Sequence, residues 1–187
     1  MMNSVSYKRI ISQTFSKRNP RTPEFFRESG ENFFYHRRKR EQSMIEQDTV
    51  KLLRECDAGI KMGIDSIEEV ENHVKSGDLR GKLSECKREH KQLQTEVEKL
   101  LDRYGDDGKS PSPIAKGMSW MKTNLKLNMD DSDATVADLM TDGCDMGVKS
   151  LSRYLNQYQA ADETSKDIAK RLIHLEAQLS ADLRGHL

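Results

Sequence analysis

From Met44 onward, apolar positions recur at steps of three and four with few breaks, the period of a helix that buries one face. Val50, Leu53, Asp57, Ile60, Ile64, Ile67 and Val74 keep this spacing and predict a first helix. Ser76-Gly77-Asp78 should close it, with Gly77 placed for positive φ. A second helix follows from Leu79, Leu83, Cys86, His90, Leu93, Val97, Leu100 and Tyr104, stopped by Gly105-Asp106-Asp107-Gly108. Beyond Pro113 a short amphipathic piece, 114–129, carries Met118, Trp120, Met121 and Leu125. Asp130-Asp131-Ser132-Asp133 places acids and a hydroxyl at the start of a third helix. That helix carries Val136, Leu139, Met140, Cys144, Gly147, Leu151, Tyr154 and Tyr158. Asp162 or Thr164 opens the fourth, with Ile168, Leu172, Leu175, Leu179 and Leu183. No stretch sustains the period of two that a strand requires. The prediction is an all-α chain: two helical hairpins joined by a long crossover that holds a short helix.

The two halves repeat each other. Cys56-Asp57-Ala58-Gly59-Ile60-Lys61 matches Cys144-Asp145-Met146-Gly147-Val148-Lys149 at four of six positions. His90-Lys91-Gln92-Leu93 aligns with Glu176-Ala177-Gln178-Leu179. Two hairpins related by a pseudo-twofold axis can bury each other's apolar stripes, the layout of the ferritin-like fold. Over 44–187 the chain resembles a family of uncharacterised bacterial ferritin-like four-helix proteins. The resemblance rests on Asp57-x-Gly59, Asp145-x-Gly147 and Gly117-x-x-Trp120-Met121-Lys122. It implies kinship with di-iron oxidases and iron-storage proteins, whose site takes carboxylates from helices one and three and Glu-x-x-His from helices two and four. This chain departs from that pattern. Neither the second nor the fourth helix carries Glu-x-x-His, and the residue three before His90 is Lys87.

One polar residue per helix interrupts the apolar stripes or mates with one that does: Asp57, His90, Asp145 and Glu176. Together they could hold iron or another divalent metal; alternatively they hydrogen-bond one another at the core edge. Gly59/Gly63 and Gly143/Gly147 are i, i+4 pairs inside helices. Each glycine costs about 1 kcal/mol against alanine there, so a compensating reason is expected. Close helix packing at Gly59 and Gly147 would supply it, and Trp120 is expected to pack the crossover onto the body. Cys56, Cys86 and Cys144 are an odd set at wide spacing, which excludes a disulfide framework and a zinc-type pairing and predicts small core fillers.

Charge divides the chain. The net charge of zero is the sum of +6 over residues 1–43 and −6 over residues 44–187, and all five Phe lie in the first part. Residues 1–43 lack apolar periodicity and include His36-Arg37-Arg38-Lys39-Arg40. Three explanations fit. One is a disordered basic extension that binds nucleic acid or anionic lipid by charge alone. Another is an organelle-type targeting segment. The third, which best unites the charge, the Phe and the missing periodicity, is mis-assigned upstream translation. Codons for Lys39-Arg40-Glu41-Gln42-Ser43 can encode a purine-rich ribosome-binding sequence just before Met44.

No run of about 18 apolar residues is present, so no membrane partner is expected. There is no Gly-rich phosphate loop and no Ser/His/Asp signature. The sequence therefore predicts a cytoplasmic, non-catalytic or degenerate module with a structural, stress-related or interaction role, possible as a homodimer. Metal-binding oxidoreductase or iron-handling chemistry is the alternative, and nucleic-acid binding through residues 1–43 a third.

Overall fold

The computed structural model describes residues 24–111, Leu127 and 130–187. Four long helices dominate: α1 (Glu24–Val70), α2 (Gly77–Arg103), α3 (Asp133–Gln157) and α4 (Glu163–Leu183). Single 3-10 turns, Glu71–His73 and Arg184–His186, follow α1 and α4. No strand occurs among the described residues, and none of their helices is long and apolar enough to cross a membrane. The crossover residues 112–126, including Trp120, lie outside the described residues.

The chain divides into two compact units, Met1–Ser43 and Met44–Leu187. In the first, residues 24–43 are helical, and the side chains of 34–43 are all exposed. A helix begins one residue after Pro23 because the segment that follows has no further Pro and is rich in Glu, Arg, Lys and Gln, which form helix readily. Arg37 donates to Glu41 one turn on, at 3.2 Å. This helical segment has no apolar stripe, which is why periodicity could not reveal it.

In the second unit the predicted stripes become the core. Ile67, Val70, Leu79, Leu83, Cys86, Val136, Met140, Cys144, Leu179 and Leu183 pack in one cluster. Leu52, Leu53, Ile60, Leu93, Val97, Leu151, Ile168 and Leu172 pack in a second. All four helices contribute to both. The second stripe drifts from prediction at its end, where Leu101 is buried and Tyr104 is exposed.

The helix starts follow capping chemistry. Ser76, Ser132 and Asp162 cap α2, α3 and α4, each accepting from the backbone N–H three residues on. Gly77 does not take positive φ; it is the first residue of α2, and the turn before it is closed from elsewhere. Asp133 Oδ1 and Oδ2 accept from the backbone N–H groups of Lys75 and Ser76 at 2.7 and 2.8 Å. Positive φ occurs instead at Gly105 and Gly108, in the predicted stop after α2.

Candidate functional site

Where the two core clusters adjoin, the interior is not wholly apolar, although Leu175 packs against both. In this layer α2 supplies His90 and α4 Glu176, with Gly63 of α1 and Gly147 of α3 against them. His90 is 1% exposed and Glu176 8% exposed, so both groups sit where an unpaired charge would be very costly. They pair: His90 Nε2 lies 3.0 Å from Glu176 Oε1. The other ring nitrogen, Nδ1, is 2.9 Å from the carbonyl oxygen of Cys86 and 3.4 Å from its sulfur.

This geometry sets the protonation state. A backbone carbonyl only accepts, so Nδ1 carries a hydrogen. Burial opposes a charged ring, but hydrogen bonds to Cys86 and Glu176 and the charge of Glu176 outweigh it, pushing the His90 pKa up to about 10. Both nitrogens then donate, and the layer holds an imidazolium–carboxylate pair.

The glycines make room for that pair. A Cβ at Gly63 would stand 2.6 Å from His90 Nε2 and 3.4 Å from Glu176 Oε1. One at Gly147 would meet Glu176 Cδ at 3.4 Å. Gly59 differs, since its added Cβ would meet only Leu172 and Leu151, at 3.8 and 3.9 Å. At Gly143 no atom of the described residues lies within 4 Å of an added Cβ. Two of the four glycines in the i, i+4 pairs thus accommodate side chains from α2 and α4.

The remaining sequence-predicted residues lie elsewhere. Asp57 is 1% exposed, and its Oδ2 accepts from Lys61 Nζ at 2.7 Å and from the backbone N–H of Lys109 at 2.8 Å. It holds the loop after α2 against α1, beside a Glu55–Lys109 ion pair at 2.6 Å. Its Oδ1 has no hydrogen-bond partner among the described residues. Asp145, the repeat mate of Asp57, is exposed and accepts from Ser180 Oγ at 2.8 Å. His90 and Glu176 are therefore brought together, while Asp57 and Asp145 each serve a separate contact. Among the described residues no three His, Cys, Asp or Glu groups gather so as to hold one metal ion. At the level of His90 and Glu176, α1 and α3 contribute glycine where a di-iron site requires carboxylates.

The three cysteines are free and buried. Burial, with Glu55 and Asp57 nearby, pushes the Cys56 thiol up to about 12. Burial and the Glu176 carboxylate push Cys144 up further still. Sequence reasoning missed Asp48 and Thr49, which bind the α3–α4 turn through the backbone N–H groups of Ala160 and Asp162 at 3.1 and 2.9 Å. Their position just before the first stripe residue carried no motif that could reveal this role.

No protein-family model matches the chain, and neither a curated protein nor a solved structure matches it.

Proposed function

We propose that residues 44–187 are a ferritin-like four-helix bundle acting as a non-catalytic structural or stress-related interaction module. The observation that carries this reading is the His90–Glu176 pair faced by Gly63 and Gly147. The two charged groups pair with each other, and among the described residues no three His, Cys, Asp or Glu side chains gather to hold a metal ion. The hairpin order, the long connection between α2 and α3 and the internal repeat support the ferritin-like arrangement. Metal analysis of the full chain, purified after growth with iron, zinc and manganese, tests it. Substoichiometric traces are expected. One or more ions per chain, lost on replacing His90 or Glu176, would establish the metal-binding alternative.

A second reading applies to the first unit. Arg37, Arg38, Lys39 and Arg40 are consecutive on an exposed helix, so at about 100° per residue they surround it instead of leaving an apolar face. Such a surface suits phosphates on both sides of a nucleic-acid groove better than a lipid surface. Binding of the full chain to a labelled DNA duplex should fall steeply with salt. Replacing these four residues by Gln should abolish it; unchanged binding removes the reading.

A further inference from the structure

Cys86 precedes His90 by one turn of α2, with its sulfur 3.4 Å from His90 Nδ1. Glu176 holds the opposite ring nitrogen from α4. From the sulfur outward the order is thiol, imidazole, carboxylate, the series in which a histidine serves a cysteine nucleophile and a third group fixes the histidine. The series has an opening. Cys86 forms part of the wall of a groove of about 490 Å³, with Gly77, Gly81, Lys82, Glu85 and Leu179. Gly77 and Gly81 have no side chain on the α2 side of it, and no atom of the described residues lies within 4 Å of where a Cβ would stand at either.

We propose that Cys86 is a site of stoichiometric oxidation by small hydroperoxides that reach it through this groove. Its residue is only 3% exposed, which restricts the reagent to one of about the size of hydrogen peroxide. The His90 ring, 3.4 Å from the sulfur, is placed to donate to the oxygen that departs. In the reaction the thiol proton passes to solvent and the sulfur attacks one peroxide oxygen. The S–O bond forms as the O–O bond breaks. The departing hydroxide takes the Nδ1 proton of His90 and leaves as water, and His90 regains a proton from solvent. One thiol and one peroxide give one sulfenic acid and one water: sulfur is oxidised, and peroxide is reduced. The product is a modified residue, so the site adds chemistry to the module without turnover and does not depend on its ferritin-like topology.

Cys56 and Cys144 are internal controls, because burial holds both thiols protonated. The full chain is treated with hydrogen peroxide, sulfenic acid is trapped with dimedone, and the three cysteine peptides are compared by mass spectrometry. Cys86 should carry about tenfold more label than either of the others. H90Q should reduce that labelling about tenfold, while C56S should leave it unchanged. Comparison within the unaltered chain requires no variant to fold, and E176Q, which removes the group that orients His90, should also slow labelling. Equal labelling of the three cysteines, no label on Cys86, or labelling in folded H90Q as fast as in the parent overturns the assignment.

Discussion

Gly63 and Gly143 are both interior helical glycines, yet an added methyl group should act oppositely at the two. At Gly143 the space is open, so Gly143→Ala removes backbone entropy from the unfolded chain and should stabilise by about 1 kcal/mol. At Gly63 the methyl would stand 2.6 Å from His90 Nε2, and the ring cannot withdraw without giving up Glu176. The clash should outweigh the propensity gain, leaving Gly63→Ala less stable by about 1–3 kcal/mol. Urea titrations of the two variants would show midpoints displaced in opposite directions; matching shifts would refute the assigned role of the layer. Gly108 adds a third case, combining φ of 79° with a would-be Cβ 2.3 Å from Asp57 Oδ2. The sequence marks all of these as glycines with a cost. Which side chain fills the missing volume depends on residues 27 or more positions away, beyond the reach of any local pattern.

Between elements, several ties are single carboxylates or hydroxyls holding backbone N–H groups. Asp133, the first residue of α3, satisfies the N–H groups of Lys75 and Ser76, while Asp57 on α1 satisfies that of Lys109 after α2. Asp133→Ala should therefore cost more than the loss of a first-turn acid alone. It leaves two backbone donors without their partner, for about 1–3 kcal/mol in chemical denaturation. A cost below about 0.5 kcal/mol would mean that solvent replaces both bonds. Asp162 illustrates the legible kind of tie, a cap acting three residues away on Ser165 N–H at 2.7 Å. Caps are local and can be read from sequence. Ties between turns are not, because donor and acceptor are separated by more than 50 residues and neither has a distinctive neighbourhood. The helix over residues 24–43 was illegible for another reason: it follows from propensity without an apolar face.

For the whole molecule, the polar layer concentrates the electrostatic cost of the fold between two apolar clusters. Removing one partner leaves the other charge buried, so Glu176→Gln should destabilise by about 3–5 kcal/mol. His90→Leu combined with Glu176→Leu should recover most of that loss, since no charge then remains to be desolvated. If the double variant is no more stable than the single one, packing and not charge pairing governs the layer. The pair also gives stability a pH dependence of definite sign. The His90 pKa is raised from 6.5 to about 10 on folding, so its contribution is fully present below about 6.5 and is lost as pH rises through about 10. The melting temperature of the parent should fall over that window by more than that of the His90→Leu/Glu176→Leu variant. Parallel curves would sink the ion-pair assignment.

The four helices and most of the buried stripe are legible in the sequence, because helical period and burial are properties of residues three and four apart. So are His90 and Glu176, polar residues at apolar register positions. It takes the packed body to show that these two meet each other, that Gly63 and Gly147 face them, and that Asp57 and Asp145, alike in sequence context, diverge into a buried loop tie and an exposed contact with Ser180. The reason is physical. Period specifies which face of a helix turns inward, but partner choice depends on the axial level at which four helices come into register, and that level is set by packing over the whole body.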